Sequence, residues 1–243
     1  MTRPHRAPFA PLFAEFAHLS AFLTRPPADL SAAAILGWPA YKGGECLRCG
    51  AFTGVAFPRG CSGGCPSCTP PPPFTFARSL FAYEGQVREG IRAAKYGRRA
   101  VAVEALAVRL HGAVRDRWSD LFPFGFRPAV VPVPIHPLKY FLRGFNLPAF
   151  VGRALARRAG WAFAPLALRR GWDARPQAGS RLTDRRENVR DAFRVPAGVR
   201  TLSDVLILDD VYTSGATAAA CAGALKTAGA RHIVVLTVAR TVL

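Results

Sequence analysis

The stretch VLILDDVYTSGAT, residues 205–217, decides the fold of this chain. Its first half has the apolar pattern of a buried strand that ends in Asp209 and Asp210, and its second half turns through Gly215 into a helix of small residues. Open α/β sheets bind ligands at the carboxyl ends of their strands. A helix that begins there presents unpaired amides and a positive dipole, which favour an anion. The stretch therefore predicts an anion site beside two carboxylates.

The residues of the turn narrow the kind of anion site. Gly215 allows close approach of the backbone, and the segment also carries three hydroxyl side chains, those of Thr213, Ser214 and Thr217. Ala216 stands where a Walker loop would place its lysine, and the GxxxxGK spacing is absent. A nucleoside-triphosphate loop of the Walker type is therefore excluded.

Strand and helix patterns alternate on both sides of this stretch. The alternation predicts an α/β fold with a mainly parallel sheet that is covered by helices on both faces. The predicted strands are residues 74–83, 129–134, 205–210 and 232–240. The predicted helices are residues 87–96, 101–118, 147–160, 182–191 and 215–229.

Five of the six cysteines lie between residues 46 and 68. Two CxxC pairs, Cys46 with Cys49 and Cys65 with Cys68, have the spacing of a tetrahedral zinc site. Such a site is structural, because the protein fills all four positions. Cys61 is an alternative to Cys65 as the third ligand. Cys221 belongs to a small-residue helix, where we expect it in the core.

The composition and the hydrophobic pattern change along the chain, and these changes predict its division into domains. We predict an N-terminal helical segment at 1–41, a zinc-ribbon module at 42–69, a proline linker at 70–73 and an α/β domain at 74–243.

The formal net charge of the 243 residues is +18, which suits a polyanionic partner or an arginine-rich surface. Residues 1–20 do not form a convincing signal peptide, and the apolar runs are too short for a membrane span. We therefore expect a cytoplasmic protein.

The 205–217 stretch resembles the phosphoribosyl pyrophosphate (PRPP) motif of type I phosphoribosyltransferases. The resemblance implies the phosphoribosyltransferase fold for residues 74–243, with the two acids on the ribose hydroxyls, partly through Mg²⁺. It also implies that the loop of Thr213, Ser214, Gly215, Ala216 and Thr217 holds the 5-phosphate. Purine-salvage members of that family place an aspartate at the position of Thr213, so no purine acceptor is expected here.

Two further segments fit parts of the same resemblance. A diphosphate loop is expected after the strand at 129–134, with Lys139, Arg143 and the Gly144 backbone against the polyanion. The polar segment 175–193 is expected to form a hood that closes over bound diphosphate. Its candidate residues are Gln177, Arg185, Arg186 and Asn188.

The whole pattern of the chain resembles the ComF family of competence proteins. The residues that carry this resemblance are the cysteine module, the Lys95-Tyr96 pair, VPVP at 131–134, RGFN at 143–146, PQ at 176–177, RRENV at 185–189, AF at 192–193 and the terminal loop. Leu147 and Pro148 stand where the family usually has a glutamine after RGFN, which puts any role of that glutamine in doubt. The resemblance implies a role in natural transformation and DNA uptake, with single-stranded DNA and a helicase-type protein as partners.

Two functions therefore compete at the level of sequence. In one, the chain binds PRPP with Mg²⁺ and serves in competence. In the other, it is an active phosphoribosyltransferase that transfers phosphoribose to an unidentified acceptor in nucleotide metabolism. Nothing in the sequence identifies a segment that would recognise such an acceptor.

Overall fold

The fold is seen in a computed structural model of the protein. The residues that it describes are 29–41, 44–52, 65, 68, 70–97, 100–122, 125–171, 192–199 and 202–242. Several predicted features lie outside these ranges. They are most of the N-terminal helical segment, Cys61, the helix at 182–191 and the four hood residues Gln177, Arg185, Arg186 and Asn188.

A five-stranded parallel sheet forms the centre of the molecule, as the alternation of elements predicted. Its strands, in spatial order, are β1 (Phe76–Ala82), β7 (His232–Arg240), β6 (Asp204–Tyr212), β2 (Ala129–Pro132) and β3 (Ala162–Phe163). β4 (Arg169–Arg170) and β5 (Phe193–Arg194) pair antiparallel as a separate ribbon. The long apolar strands β6 and β7 lie at the centre, where both of their edges are paired.

Alternate side chains of the central strands enter two different cores. Leu206 and Leu208 belong to one buried cluster, and Val205 and Ile207 belong to the other. Successive side chains of a strand point to opposite faces of its sheet, so an uninterrupted apolar run requires cover on both sides. The sequence of β6 therefore dictates a sheet that is buried between helical layers.

The helices supply that cover. Their bounds are α1 (Ala32–Leu36), α2 (Gly85–Gly97), α3 (Ala100–Gly112), α4 (Pro137–Arg143), α5 (Leu147–Ala159) and α6 (Ala216–Thr227). Residues of α3 and α5 pack into the first core, and α6 packs into the second. None of the helices within the described ranges has the length and apolar character that a membrane span requires.

The structure adds the short strands β3, β4 and β5 to the predicted ones, extends β6 two residues beyond Asp210 to Tyr212, and departs from the prediction in three further elements. α3 ends at Gly112 and continues as a π-helical turn, Ala113–Arg117, rather than as one helix to residue 118. β2 ends at Pro132, two residues early, although the amide of Val133 still donates to the Leu208 carbonyl at 2.9 Å. The segment expected as an open diphosphate loop contains the helix α4.

The sequence itself accounts for α4. Pro137 occupies the first turn, where its missing N–H costs no hydrogen bond. The side chain of His136 caps the helix by accepting from the Leu138 amide at 3.2 Å. Gly144 ends it with φ of 59°, in the left-handed region that glycine adopts without strain.

Candidate functional site

The two consecutive acids lie near the carboxyl end of β6, at the edge of the sheet where the sequence predicted a ligand. Asp209 and Asp210 are both partly buried. The Asp210 amide donates to Oδ1 of Asp209 at 2.8 Å. Nζ of Lys95, in the last turn of α2, lies 2.9 Å from Oδ1 of Asp210. The site therefore holds two carboxylates and one close ammonium group.

The electrostatics of the acid pair are asymmetric. Burial, and then the neighbouring charge of Asp210, raise the pKa of Asp209 to about 7. Burial acts to lower the pKa of Lys95, but the Asp210 carboxylate outweighs it, so that the lysine pKa is raised. Lys95 therefore stays charged and compensates Asp210, while Asp209 exchanges its proton near neutral pH. A dication or several hydroxyl donors would favour the fully ionised pair.

The loop that follows β6 is exposed at its first two residues and half-buried at residues 215–217. Thr213 and Ser214 are exposed, and Gly215 is the N-cap of α6 with φ of 78°. Ser214 Oγ accepts from the Ala216 amide at 3.4 Å. The first amides of α6 have no acceptor within the helix itself, and an anion at this end could accept from them in place of Ser214 Oγ. The loop and the acids are thus adjacent parts of one edge.

The side chain of Tyr212 packs against this loop. Its buried ring lies directly against Gly215, where a Cβ would overlap the phenol oxygen. The close approach explains why the residue that caps the helix has no side chain. The position of the loop is therefore set by Tyr212 as well as by β6.

The predicted diphosphate residues follow β2, the neighbour of β6. Because β2 pairs in parallel with β6 up to Pro132 and Leu208, both strands deliver their next residues to the same edge. Lys139 and Arg143 lie on α4 and Gly144 ends it. After α4, Asn146 ties the chain back to the end of β2, because its Nδ2 donates to the Val133 carbonyl at 3.1 Å. The chain thus leaves β2 at the edge of the sheet that holds the acids, and α4 follows within a few residues.

Two basic residues near the acids were not predicted as site residues. Lys95 stood out in the sequence only as part of a Lys-Tyr motif with no assigned role. Arg170, in β4, stacks over Phe193 with 5.4 Å between its Cζ and the ring centroid. Its charge acts to lower the pKa of Asp209, and among the described residues its buried Nε has no hydrogen-bond partner. No sequence signal distinguished Arg170 from the many other arginines.

Four cysteines come together at the other end of the chain. The sulfur atoms of Cys46, Cys49, Cys65 and Cys68 all lie within 4.8 Å of one another, and all four residues are buried. Three of the sulfur pairs are separated by 3.8, 3.4 and 3.9 Å. A tetrahedral site with Zn–S bonds of about 2.3 Å has sulfur–sulfur edges of about 3.8 Å. The cluster therefore fits a metal ion such as zinc.

The protonation of the thiols also favours a cation. Burial works against ionisation of Cys46, but amide donors at Cys49 and Cys65 lower its pKa to about 6. Burial, together with the charge on Cys46, raises the pKa of Cys68 to about 11. A bound dication would stabilise the thiolate form of all four cysteines.

The cysteine cluster is docked directly on the sheet. The Ala77 amide of β1 donates to the Arg48 carbonyl at 2.8 Å. Two buried arginines then reach from the sheet into the module: Arg78 donates to the carbonyls of Cys46 and Leu47, and Arg240 donates to the carbonyl of Cys49. Backbone carbonyls of the first knuckle are thus held by side chains of β1 and β7.

Comparison with known proteins finds relatives that cover most of the sequence. No family model matches the chain. The DNA utilization protein YhgH of Salmonella typhi is 30% identical over 172 residues, which cover 70% of this chain and 74% of that protein. Competence protein F of Haemophilus influenzae is 29% identical over 140 residues, which cover 56% of this chain and 59% of that protein. The chain therefore belongs to the family of the DNA utilization protein YhgH and competence protein F, the ComF family that its motifs resemble.

Proposed function

We propose that this protein binds a ribose-phosphate ligand of the PRPP type, together with Mg²⁺, and serves in the handling of DNA taken up by the cell. The observation that carries the proposal is the acid pair Asp209 and Asp210 beside a glycine-led helix N-terminus. Carboxylates accept hydrogen bonds from ribose hydroxyls, and the amides of the loop donate to a phosphate. The phosphoribosyltransferase fold is part of the same proposal.

Each element of the site has a part in holding such a ligand. Thr213, Ser214, Gly215, Ala216 and Thr217 would surround the 5-phosphate, and the acids would face the ribose. Mg²⁺ would supply charge neutralisation between the acids and a diphosphate. The positive charge of Lys95 offsets the negative charge of Asp210, so the edge repels an approaching anion less strongly. Lys139, Arg143 and Gly144 would receive the diphosphate, with the hood segment closing above it.

Calorimetric titration tests the binding proposal. We expect PRPP with Mg²⁺ to bind the purified chain saturably, and Asp209→Asn together with Asp210→Asn to weaken that binding at least about tenfold, or about 1.4 kcal/mol. Asp204→Asn is the matched control, because Asp204 lies at the opposite end of the same strand and pairs with His232. Equal affinities in all three proteins, or no binding of PRPP, ribose 5-phosphate or pyrophosphate, would refute the proposal.

The role in DNA uptake rests on the names of the relatives, a DNA utilization protein and a competence protein. The test is the transformation frequency of a naturally competent host that carries the chain in place of its own family member. We expect a defect from the double aspartate variant and from Cys46→Ser, since the ligand site and the metal module are both proposed to be needed. Normal transformation by both variants would contradict the role.

Turnover is the second candidate function, and the same acid pair favours it. A developing positive charge on a ribose would be stabilised by two carboxylates that already contact its hydroxyls. Release of pyrophosphate from PRPP in the presence of a panel of bases and amines measures this directly. Pyrophosphate release that depends on one acceptor would establish a transferase. Binding of PRPP without pyrophosphate release from any acceptor mixture would show that the protein only binds the ligand.

Single-stranded DNA is the partner that the surface favours. α4 exposes Tyr140, Phe141 and Leu142, with Phe141 84% exposed, on a chain of net charge +18. Exposed aromatic rings next to basic residues stack with unpaired bases, and phosphate contacts make the affinity depend on salt. We expect oligonucleotide affinity to fall steeply as salt rises. Affinity that does not change with salt would exclude this surface as an electrostatic DNA site.

A further inference from the structure

A continuous line of contacts joins the cysteine cluster to the loop at 213–217. It begins at the Cys49 carbonyl, which accepts from the Arg240 guanidinium. The Cζ atom of Arg240 lies 4.3 Å from the centroid of the Tyr212 ring. Tyr212 in turn lies against Gly215, the N-cap residue that precedes α6. Two side chains therefore separate a metal-ligand residue from the proposed phosphate loop.

Each link in this line is buried and tightly packed. Arg240 is 2% exposed and Tyr212 is 6% exposed. A buried guanidinium needs acceptors for its donors, so the Cys49 carbonyl contributes to the placement of Arg240. The Tyr212 ring cannot move toward Gly215, because the two are already in contact. A shift of the first knuckle would therefore be passed to the loop through two buried side chains, because packed interiors transmit small displacements.

We propose that Arg240 and Tyr212 are positioning residues that couple metal binding at the cysteine cluster to ligand affinity at the loop 213–217. A metal fixes the knuckle 46–49 and with it the Cys49 carbonyl. The carbonyl holds the Arg240 guanidinium over the Tyr212 ring, and the ring fixes the position of the Gly215 backbone. Loss of the metal releases the knuckle, and the amides of the loop lose their arrangement for a phosphate. This inference rests on the proposed ribose-phosphate site.

Thermodynamic linkage makes the coupling measurable from both ends. We expect the zinc-loaded protein to bind PRPP with Mg²⁺ at least about fivefold more tightly than zinc-stripped protein to which Mg²⁺ has been restored. By reciprocity, saturating PRPP with Mg²⁺ strengthens zinc binding by the same factor, as measured by competition with a chromophoric chelator. Equal PRPP affinities with and without zinc, in protein that binds PRPP, would overturn the coupling while leaving the proposed function intact.

Two arginine variants identify the path. Arg240→Gln removes the group that joins Cys49 to Tyr212, so we expect PRPP affinity to become independent of zinc. Arg78→Gln is the matched control, because Arg78 is equally buried and donates to the carbonyls of Cys46 and Leu47, but stacks on Phe76 rather than on Tyr212. The control should keep the zinc dependence. Loss of that dependence in both variants, or in neither, would overturn the assignment to Arg240.

Hydrogen exchange in the unsubstituted protein needs neither a variant nor a ligand. On removal of zinc we expect faster exchange at 44–50 and at 212–217, while the amides of the central β6 residues 205–208 stay protected. Faster exchange at 44–50 alone would overturn the coupling. If no ribose phosphate binds under any condition, the proposed function fails, and this measurement still decides whether the cluster and the loop are coupled.

Discussion

Asp209 is the residue whose chemistry most clearly separates this site from an ordinary strand end. Its pKa is raised to about 7 by burial and by Asp210, whereas an aspartate in an unfolded chain titrates near pH 4. Between these values the folded protein holds a proton that the unfolded chain has released. This residue's contribution to the free energy of unfolding therefore decreases as pH rises from about 4 to about 7.

Asp209→Asn should remove that pH dependence. Without ligand or Mg²⁺, we expect the variant to gain stability relative to the unsubstituted protein at pH 8, by at least about 1 kcal/mol or about 2–4 °C in Tm. The gain should be smaller at pH 5, where Asp209 is protonated in the folded protein. Thermal unfolding of both proteins at the two pH values measures it. The same Tm difference at both pH values would show that Asp209 does not titrate in this range.

Gly215 has a backbone that other residues adopt only with strain. With φ of 78° and Tyr212 in contact, Gly215→Ala should cost about 1–3 kcal/mol and displace the loop. Gly223→Ala, within α6, is the matched control, because the added Cβ meets no atom of the other described segments within 4 Å, and it should stabilise by up to about 1 kcal/mol. Chemical denaturation of both variants gives the values. Equal stabilities would mean that Tyr212 does not restrict the loop.

The acid pair could be predicted at this scale, and its partners could not. Two acids after an apolar run and before a glycine are visible in one short stretch. Lys95 reaches Asp210 from a helix far away in the chain, so only the folded structure reveals the ion pair. Arg170 comes from a two-residue strand with too few residues for any periodicity.

Among the elements, the long strands and helices could be predicted because each carries several repeats of its pattern. β7 has the predicted bounds, and α5 and α6 differ from the prediction by a few residues. α4 was missed because its seven residues lie between two prolines and a glycine, which suggested a loop. Short elements depend on caps and tertiary contacts more than on periodicity.

The same helix α4 carries the test of the DNA surface. Phe141→Ala should weaken binding of single-stranded DNA by about 1–3 kcal/mol if a base stacks on this ring. Its effect on Tm should be small, because the side chain is almost fully exposed. Leu166→Ala removes another exposed apolar side chain outside α4 and serves as the control. Fluorescence anisotropy with a labelled oligonucleotide measures both, and equal losses would argue against stacking on α4.

In the whole molecule, the cysteine cluster and the sheet form one packed unit. A Cβ at Gly50 would overlap the Ala77 carbonyl, and the Glu45 carboxylate lies against Arg78 and Arg117. The sequence predicted the cluster from its spacing. It could not show that the cluster rests on β1 and β7, because the residues that hold it there are two arginines within apolar strands.

Metal removal should therefore destabilise the whole fold. We expect stripping of zinc to lower the free energy of unfolding by about 2 kcal/mol or more, since the bound metal stabilises only the folded state. Cys46→Ser should lose the metal, whereas Cys221→Ala, which alters a buried thiol outside the cluster, should keep one zinc per chain. Metal analysis combined with thermal unfolding measures both effects. An unchanged Tm after stripping would exclude a structural metal.

The central claim is that the edge formed by Asp209, Asp210 and the loop 213–217 holds a ribose phosphate. The most direct test is an NMR titration of the labelled protein with ribose 5-phosphate and then with PRPP and Mg²⁺. The proposed site predicts saturable shifts of the amides of Ser214, Gly215, Ala216 and Thr217, and their loss in the Asp209→Asn, Asp210→Asn protein. Saturable shifts confined to another surface, or no shifts at saturating ligand, would contradict it.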